Sequence, residues 1–545
     1  MEKSAATRYK KQSGAVASNG NRKRSGAADS SQKTNDAATQ TKIQKLNHKF
    51  IKDAVHGYIS LDPLCVTIIN TPQFQRLRYL KQLGVTYFVY PAAAHNRYEH
   101  CIGTCYLAGK MAESLQNDNP YQISDKDVLC LKIAGLCHDL GHGPFSHTWE
   151  RFMKKANPDA NWKHEEMSTK IFDDILTDAN IMEKFTARDL EEKDLNFIKN
   201  VIDPPEENKM DEKMDDERKG KHFLFEIVSN STTKVDVDKW DYFLRDSHSL
   251  GLSVTFEYER LIDSCKILKC DEKCDEKCDG KWHICYRDKD VHTLLEMFHT
   301  RALLHRKAYQ HHTEKIINEM LIDALCSADT DFKVEVEKKE LIDDLSSADT
   351  DVKVEVEKKD IRRYKLSEAY KDTRAFLKLT DNVFNQILES SESKLKDARD
   401  ILTRIQKRDL YKTVAEKLLP PNFDESKNEK LTEEVKMKIE TNSKSDDKKL
   451  DILFSEVSYG IEINDFFAKQ HFYKKNDSNN GPNTVKMKRE DVSNMLPVRY
   501  KDCKVYVIWK DNENIPKTQH VDEILKDSIK KNTKPLECLC GGQQY

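Results

Sequence analysis

The chain has 545 residues, of which 38% are hydrophobic and 34% charged, and its 90 Lys and Arg nearly balance its 93 Asp and Glu. This composition predicts a globular protein with charged, solvent-exposed segments, and the small net charge gives no global preference for nucleic acid. No apolar run approaches the roughly 18 residues needed to cross a bilayer, which argues against a membrane protein. The 14 irregularly spaced cysteines are typical of reduced thiols in the cytosol or nucleus.

Residues 1–45 are rich in small and polar residues without a hydrophobic period, so we expect a disordered basic tail. Two basic clusters, Lys10-Lys11 and Arg22-Lys23-Arg24, are spaced as in a bipartite nuclear-import signal. The tail therefore predicts a nuclear protein, with the cytoplasm as a second location. A tail that only aids solubility is the alternative.

Residues 64–83 are predicted to be helical, with Pro72 suited to the first turn of a helix. Gln75, Arg78 and Gln82 recur at helical spacing and so share one face. That face is either an ordinary exposed polar surface or a surface that contacts a nucleotide.

The most informative stretch is residues 133–147, Ile-Ala-Gly-Leu-Cys-His-Asp-Leu-Gly-His-Gly-Pro-Phe-Ser-His. An apolar helix delivers the adjacent pair His138 and Asp139, after which two glycines and Pro144 break the helix. Imidazole and carboxylate suit a borderline-to-hard divalent metal. Because neighbouring side chains on a helix point about 100° apart, both reach one ion only at a helix end or bend. The stretch therefore predicts part of a metal site.

Distant residues could complete a metal site that hydrolyses phosphate esters or anhydrides. The candidate metal ligands come from three segments and are His100, His138, Asp139 and Asp238. The cations Arg97 and Lys239 and the phenol of Tyr242 flank these ligands in the sequence. His164 is the candidate for proton transfer. For the helix that carries Asp238, a salt-bridged surface helix is the alternative. The spacing does not choose between a nucleotide, a cyclic nucleotide and a phosphomonoester as substrate.

Three later segments have distinctive patterns. The cysteine-rich block over 265–285 contains a near-repeat that we interpret as a short tandem duplication. A structural zinc site is the alternative interpretation. Residues 321–340 and 341–360 are a tandem repeat that differs at four of twenty positions, and each copy reads as a helical piece followed by an alternating strand. Residues 361–420 are predicted to return to helix.

The order His100, His138-Asp139, Asp238 resembles the H…HD…D pattern of the HD-domain phosphohydrolases. Longer strings resemble one branch of that family, the vertebrate deoxynucleoside triphosphate triphosphohydrolases that carry a SAM and an HD domain. These strings are Thr71-Pro-Gln-Phe-Gln-Arg-Leu-Arg, His95-Asn-Arg-Tyr-Glu-His, Ala134-Gly-Leu-Cys-His-Asp-Leu-Gly-His-Gly-Pro-Phe-Ser-His, Asp236-Val-Asp-Lys-Trp-Asp-Tyr and His305-Arg-Lys-Ala-Tyr-Gln-His. The resemblance covers about residues 46–530, with gaps at the two repeats and at 421–450.

The resemblance implies a mainly α fold, with a helical HD phosphohydrolase core and a small α+β C-terminal lobe. We expect the disordered tail over 1–45, the HD domain over 46–420 with insertions at 265–285 and 321–360, a charged flexible segment over 421–450 and the lobe over 451–545. Because 45 low-complexity residues cannot form a SAM domain, we expect none before residue 46, as in a divergent paralogue.

The resemblance also implies an activity, the cleavage of a deoxynucleoside triphosphate at the α-phosphate into deoxynucleoside and triphosphate. The implied metal ligands are His100, His138, Asp139 and Asp238, with zinc or iron bound there and magnesium accompanying the nucleotides. The implied catalytic residues are His164 as the acid, with His142, His147 and Arg97. The implied substrate-binding residues are Gln82, Leu83, Arg97, His142, His147, Lys239, Tyr242, Asp246, Arg301, His305, Tyr309 and Gln310, with Tyr309 as the gate against a 2′-hydroxyl.

The family is activated by nucleotides, GTP and deoxynucleoside triphosphates, that bridge subunits into a homotetramer. The matching positions are Lys49, Phe50, Asn70, Gln75, Arg78, Val89, Tyr90, Arg260, Arg287, Lys289, His311, Arg408, Lys412 and Lys475. Asn70 stands where the family has an aspartate that reads guanine, and an amide presents both a donor and an acceptor. Lys52, Thr293 and His312 are further departures, so the regulatory set is altered while the catalytic set is intact.

Control of deoxynucleotide pools and an antiviral role are further implications of the resemblance. Two alternatives stay open at this point. One is an HD-family hydrolase of other nucleotides, and the other is a catalytically silent scaffold that binds single-stranded nucleic acid through basic helix faces.

Overall fold

The computed structural model describes residues 48–119, 122–270, 280–337, 361–443, 449–475, 483–497, 499–513 and 515–533, and all elements belong to one unit, Lys49–Tyr545. The predicted basic tail with its import signal, the repeated Cys274 and Cys278, and the second copy of the tandem repeat lie outside the described residues.

Helices form most of the described chain, which confirms the predicted mainly α fold. In chain order they are α1 (Pro63–Ile69), α2 (Pro72–Gln75), α3 (Arg97–Asp118), α4 (Asp125–Cys137), α5 (His147–Ala156), α6 (His164–Leu176), α7 (Ala179–Thr186), α8 (Glu192–Ile202), α9 (Met210–Lys213), α10 (Phe225–Val228), α11 (Val237–Leu250), α12 (Glu259–Ser264), α13 (Val291–Leu304), α14 (His312–Ala328), α15 (Thr373–Leu377), α16 (Val383–Glu389), α17 (Lys396–Gln406), α18 (Asn428–Ser443), α19 (Ile463–Lys469), α20 (Arg489–Val492) and α21 (Thr518–Asn532). A π-helical turn, His305–Tyr309, continues α13. Within the described ranges, no helix is both long and apolar enough to span a bilayer.

The strands are short and belong to four small sheets. They are β1 (Lys49–Asp53), β2 (Gly57–Leu61), β3 (Lys266–Lys269), β4 (Trp282–Arg287), β5 (Val334–Glu337), β6 (Ile361–Tyr364), β7 (Lys412–Leu418), β8 (Leu450–Ser458), β9 (Phe472–Lys474), β10 (Asn483–Val485) and β11 (Lys501–Trp509). The sheet orders are β1-β2, β10-β9-β4-β3, β7-β11-β8 and β5-β6. All pairs are antiparallel except β4 and β9, which run parallel.

Helix starts near the N-terminus follow the local capping residues. Asp62 caps α1 and Thr71 caps α2, and each of these helices has proline in its first turn, as predicted for Pro72. The helix α3 begins with a capping box between Asn96 and Glu99. These caps fix the entry points of the helices that surround the central motif.

The centre of the core is α4, which packs along α3 and is buried on nearly all sides. A Cβ at Gly135 would lie 3.1 Å from the carbonyl oxygen of Thr104 and 3.2 Å from the Cβ of Ala108. The two helices therefore approach closely because α4 has glycine at their contact. This approach places the C-terminal end of α4 beside the first turn of α3.

The prediction of a flexible segment over 421–450 is wrong for its described residues, 421–443 and 449–450. Within that range α18 buries Leu431, Val435 and Ile439 in the core of the C-terminal lobe, together with Trp509 and Leu525. The charged residues that suggested flexibility surround a stripe of apolar residues four positions apart, which is typical of an amphipathic helix. The lobe also begins earlier than residue 451, because β7 pairs with β11.

The insertion predicted over 265–285 is part of a larger sheet. Its strands β3 and β4 form an antiparallel hairpin, and β4 pairs with β9 from the C-terminal lobe. The first copy of the tandem repeat continues α14 and then forms β5, as its pattern predicts. The all-helical prediction for 361–420 is wrong at its two ends, which form β6 and β7 and pair with β5 and β11.

Candidate active site

Four of the predicted ligands converge at one point. His100 lies on the first turn of α3, His138 and Asp139 follow α4, and Asp238 lies on the first turn of α11. The Oδ1 atom of Asp238 is 3.0 Å from Nε2 of His100 and 3.3 Å from Nε2 of His138. Oδ2 of Asp139 is 3.5 Å from Nε2 of His100. Three helices therefore bring these four side chains together.

Two glycines in the bend after α4 lie so close to other backbone and ring atoms that a side chain would not fit there. A Cβ at Gly141 would lie 2.1 Å from the carbonyl oxygen of His164, and a Cβ at Gly143 would lie 2.2 Å from the ring of Trp149. The bend ends at Phe145 and Ser146, both with φ of 58°. Such a backbone is rare outside glycine and is stabilised here by surrounding hydrogen bonds.

Asp381 and Lys81 supply those hydrogen bonds. The backbone N–H of Phe145 donates to Oδ1 of Asp381 at 2.6 Å, and Oγ of Ser146 donates to the carbonyl oxygen of Lys81 at 2.8 Å. Burial raises the pKa of Asp381 to about 6, although backbone N–H donors oppose this rise. The turn between the metal-ligand candidates and α5 is therefore fixed by groups from two distant segments.

The donor set fits a divalent metal ion. Nδ1 of His100 lies 2.7 Å from Asp241, and Nδ1 of His138 lies 2.9 Å from the carbonyl oxygen of Gly135, so both rings direct Nε2 towards the carboxylates. Nε2 of His138 is buried and has no hydrogen-bond partner among the described residues. Burial alone would lower the pKa of His100, but Asp238, Asp241 and Asp139 raise it to about 10. The excess of carboxylate charge favours a cation at this point.

Asp241 is a residue that the sequence reasoning missed. It accepts a hydrogen bond from His100 and lies 2.7 Å from Nε2 of His56, and Arg245 donates two hydrogen bonds to it. A carboxylate behind an imidazole fixes its tautomer and orientation as a metal ligand. The available signal was its position three residues after Asp238 on the same helix.

A second cluster lies beside Asp139. The rings of His142 and His164 stack with centroids 4.0 Å apart, and Nε2 of His142 is 3.2 Å from Oδ1 of Asp139. Burial lowers the pKa of His142, and the nearby charge of Arg97 lowers it further, which keeps this ring neutral. His147 is near this pair but exposed, with its Nδ1 3.3 Å from Oε2 of Glu150.

Glu150, which the sequence reasoning also missed, holds His164. Oε1 of Glu150 is 2.8 Å from Nδ1 of His164, and Oε2 of Glu165 is 3.3 Å away. Burial would lower the pKa of His164, but these two carboxylates raise it above its ordinary value. The two carboxylates therefore favour the protonated ring, which is the form that a general acid requires.

The three predicted phosphate-binding cations all have protein partners. Arg97 donates to Asp139 and to Oγ of Ser146, and Nζ of Lys239 is 2.7 Å from Oδ2 of Asp236. Arg301 donates to the carbonyl oxygen of Ser458 at 2.6 Å and to its Oγ at 3.0 Å. Arg97 thus supports a ligand candidate directly, while Arg301 contacts the C-terminal lobe.

Among the predicted sugar and base residues, Tyr309 is hydrogen-bonded to Asp246. The hydroxyl of Tyr309 donates to Oδ2 of Asp246 at 2.5 Å, and Nε2 of His95 is 2.7 Å from Oδ1. His95 is a further residue without a predicted role. Of the remaining members, Tyr242 has its ring 6.3 Å from that of His100, and His305 has its ring 5.0 Å from that of Tyr309. The backbone N–H of the buried Gln82 donates to the carbonyl oxygen of His95 at 3.0 Å. Leu83 packs on the core, and Gln310 accepts a hydrogen bond from Ser455.

The predicted regulatory residues lie on many separate elements. They are Lys49 and Phe50 on β1, Asn70 at the end of α1, Gln75 and Arg78 at and after the end of α2, Val89 and Tyr90 before α3, Arg260 on α12, Arg287 on β4, Lys289 after β4, His311 before α14, Arg408 after α17, Lys412 on β7 and Lys475 after β9. Of the departures, Lys52 lies over the ring of Tyr58, Thr293 is on α13, and His312 is hydrogen-bonded to Thr413.

Comparison with known proteins places this geometry in a family. Residues 97–244 match the HD domain family. The human deoxynucleoside triphosphate triphosphohydrolase SAMHD1 is 38% identical over 477 residues, which cover 85% of this chain and 70% of the human protein. The Danio rerio protein of the same name is 39% identical over 490 residues, 87% of this chain and 73% of that protein. The Dictyostelium discoideum SAMHD1 homolog is 30% identical over 478 residues, 86% of this chain and 79% of that protein. The identity and extent of these matches show that this chain belongs to the SAMHD1 family of HD-domain hydrolases.

Proposed function

We propose that this protein hydrolyses deoxynucleoside triphosphates to deoxynucleoside and inorganic triphosphate. The observation that carries the proposal is the convergence of His100, His138, Asp139 and Asp238, with His164 held nearby by Glu150. The names of the relatives support the substrate class, because the human and Danio rerio proteins are deoxynucleoside triphosphate triphosphohydrolases.

The four converging residues would hold a divalent metal, and we favour zinc or iron there with magnesium accompanying the nucleotide. A metal bound by these residues would supply Lewis-acid polarisation of a phosphate oxygen. Arg97 keeps Asp139 ionised and oriented, and Asp241 holds His100 with Nε2 facing inward. Both contacts act on the ligands before the substrate arrives, which is how a protein preorganises a charged site.

The chain's own residues provide the proton for the leaving group. His164 donates it to the 5′-oxygen as water attacks the α-phosphorus and the bond between that phosphorus and the 5′-oxygen breaks, and Glu150 holds the ring and favours its charged form. The neutral His142 stacks on this ring and lies between it and Asp139, while His147 is at the exposed side for the outer phosphates. Lys239 and Arg301 bind the triphosphate once their present protein partners are exchanged for phosphate oxygens.

Substrate selection rests on the group around Asp246. The ring of Tyr309 is held by its hydrogen bond to Asp246, and Tyr242 is close enough to act electrostatically on Tyr309. A fixed ring excludes one additional oxygen by contact, so Tyr309 rejects the ribose 2′-hydroxyl. Selection among the four bases would need donors and acceptors directed at the base edge. Exclusion of the 2′-hydroxyl by Tyr309 does not depend on the base, so it is compatible with all four deoxynucleotides.

We further propose activation by GTP or a deoxynucleoside triphosphate that bridges subunits into a homotetramer. The support is the sequence match at the regulatory positions, several of which are exposed in the single chain, as Phe50 is at 65%. Asn70 ends α1 and is also exposed. Because its amide can both donate and accept, we propose that the activator is less strictly guanine here.

The biological setting that we propose is control of deoxynucleotide pools with an antiviral effect, in the nucleus and to a lesser extent in the cytoplasm. The two basic clusters at Lys10-Lys11 and Arg22-Lys23-Arg24 support nuclear import. Microscopy of a fluorescent fusion, compared with a fusion in which these residues are Gln, tests the location. Loss of nuclear accumulation in the second fusion is the expected result.

A chromatographic product assay tests the activity. Each deoxynucleoside triphosphate is incubated with the protein, with and without GTP, and deoxynucleoside and triphosphate are quantified. We expect both products from the wild type, none from His138→Ala, and unchanged products from His248→Ala, which alters an exposed histidine at the far end of α11. Absence of turnover with every activator, from folded and metal-loaded protein, would reject the hydrolase and favour a nucleic-acid-binding scaffold.

A further inference from the structure

A small cavity lies outside the candidate active site, where four segments meet. They are the segment 204–226, the loop 229–233 before α11, the start of β4, and the junction between α19 and β9. We call it the side cavity and define it by the residues that line it and carry the argument, Ser231, Thr232, Lys281, His283, Lys469 and His471. Its volume of about 50 Å³ exceeds the 10–15 Å³ or so that one water needs, so a small polyatomic ion fits.

The wall formed by β4 and β9 is held by stacked imidazoles. The rings of His283 and His471 are parallel within 11° with centroids 3.9 Å apart, and the backbone N–H of Tyr286 donates to the carbonyl oxygen of His471 at 3.0 Å. Nδ1 of His283 is 3.0 Å from Oε1 of Glu226. These contacts come from three different segments and make the wall a built surface.

The opposite wall is the loop 229–233, which Asn230 shapes. Its side-chain oxygen accepts hydrogen bonds from the backbone N–H groups of Thr232 and Thr233, and its own N–H donates to Asp236 at 3.0 Å. This leaves Ser231 and Thr232 at the exposed tip, where their hydroxyls have no protein hydrogen-bond partner among the described residues. Two hydroxyl groups are thus presented to the cavity by a fixed backbone.

The charges that face the side cavity are mainly positive. Lys281 and Lys469 line it, with Nζ of Lys469 3.4 Å from Oδ2 of Asp465. Among the described lining residues the carboxylate is Glu226, which already accepts hydrogen bonds from His283 and from the backbone N–H of Ile284. Burial lowers the pKa of the nearby Lys234, and Lys239, Lys469 and Arg301 lower it further against the opposing charge of Asp236. Positive charge therefore accumulates beside the cavity.

We propose that the side cavity binds a phosphate dianion, either free or as the phosphate of a phosphomonoester. Two ammonium groups and two hydroxyls are the donors that phosphate oxygens require. A cation is disfavoured because the lysines repel it, and no three His, Cys, Asp or Glu ligand atoms of the described chain lie within 4.8 Å of one another here. A larger adjoining cavity of about 330 Å³ shares Ser231, Thr232 and Lys469 and is also lined by Glu456, Glu462 and Asp465. These carboxylates would accept hydrogen bonds from hydroxyl groups on the organic part of an ester.

Hydrogen–deuterium exchange of the full-length protein with inorganic phosphate, without nucleotide, tests the proposal. We expect phosphate to slow exchange in peptides that cover 229–233 and 281–284. Lys281→Gln/Lys469→Gln should need at least about tenfold more phosphate for the same protection. Ser231→Ala/Thr232→Val should also weaken protection, and this exposed pair can be altered without threatening the fold.

The matched control is Lys219→Gln/Lys474→Gln, which removes two exposed lysines that do not line the cavity. This variant should retain wild-type protection. Phosphate bound at the candidate active site would protect peptides other than 229–233 and 281–284. The test therefore gives the same answer whether or not the protein has the proposed hydrolase activity. Ribose 5-phosphate, used as a second probe, distinguishes free phosphate from a phosphomonoester as the ligand. Tighter binding of ribose 5-phosphate than of inorganic phosphate would show that the adjoining cavity holds the organic part of an ester. Equal protection in the Lys281/Lys469 variant, or protection by Zn²⁺ alone without phosphate, would overturn the proposal.

Discussion

Oε1 of Glu150 lies 2.8 Å from Nδ1 of His164, on the ring that stacks against His142. Glu150 is on α5 and His164 starts α6, so the contact joins the two helices that follow the central motif. Because a carboxylate at this distance favours the charged imidazole, the pair determines over which pH range His164 can act as an acid.

Replacing Glu150 tests this role through the pH dependence of the rate. The pKa of His164 is raised in the folded protein, so a catalytic proton is available below that pKa and is lost as the pH rises through it. In Glu150→Gln the pKa of His164 falls, and the basic limb of the kcat/KM profile should move to lower pH by about one unit. Glu165→Gln is the control, with a smaller shift because Glu165 is 3.3 Å away and more exposed. An unmoved basic limb in Glu150→Gln would contradict the assignment.

Asp241 should control metal affinity without being a ligand. Asp241→Asn removes the charge that holds His100, and metal affinity should fall about 10–100-fold, as is typical when such a supporting carboxylate is lost. Chelator competition followed by measurement of bound metal provides the affinity. Asp53→Asn is the matched control, since Asp53 also pairs with Arg245 but does not contact His100. Equal metal loss in both variants would show that the effect comes from Arg245 and the fold.

Tyr309 should decide between deoxyribose and ribose. Tyr309→Ala removes the ring and should raise kcat/KM for ribonucleoside triphosphates by about tenfold or more relative to deoxynucleotides. Tyr309→Phe keeps the ring but loses the hydrogen bond to Asp246, so it should retain most of the selectivity. If the Ala variant keeps the wild-type ratio, the sugar pocket is elsewhere.

Asn70 should set the base preference of the activator. Asn70→Asp presents only acceptors, which match the two adjacent N–H donors on the edge of guanine, and we expect about tenfold sharper preference for GTP over ATP as activator. The activation curves for both nucleotides provide the ratio. Asn70→Ala removes donor and acceptor together and should weaken activation without sharpening it. An unchanged ratio in Asn70→Asp would place base reading at another residue.

The helix α18 should be a stabilising part of the C-terminal lobe. Leu431 is fully buried there, and Leu431→Ala should cost about 2–5 kcal/mol of the lobe's stability through lost burial and a cavity. Native-state hydrogen exchange of peptides from β11 measures this change. Met437 on the same helix is 61% exposed, so Met437→Ala should have little effect. Equal exchange in both variants would mean that α18 does not support the sheet.

The sequence predicted the ligand candidates because their signals are local. The apolar run before His138, the glycines after it, and the helical spacing on α11 are all readable within a few residues. Asp241 was missed because its partner His100 is distant in sequence. Glu150 was missed because a glutamate on a helix is most often an ordinary exposed residue, and its sequence position does not show that it contacts His164. The contact between His100 and Asp241 spans 141 positions, and no local pattern distinguishes it from an ordinary salt bridge.

The main error in the fold has a different origin. Residues 421–450 are so charged that composition outweighed the apolar stripe of Leu431, Val435 and Ile439, although this stripe has helical spacing. The pairing of β4 with β9 was unreadable for another reason, since it joins two strands from separate parts of the chain. Periodicity predicts an element, but not which distant element it will contact.

Hydrolysis of a deoxynucleoside triphosphate in ¹⁸O-labelled water, with mass analysis of both products, tests the central claim most directly. If His164 protonates the 5′-oxygen and water attacks the α-phosphorus, the label appears only in inorganic triphosphate and the deoxynucleoside is unlabelled. Deoxynucleoside monophosphate with pyrophosphate as products, or label in the deoxynucleoside, would contradict the proposed reaction at this site.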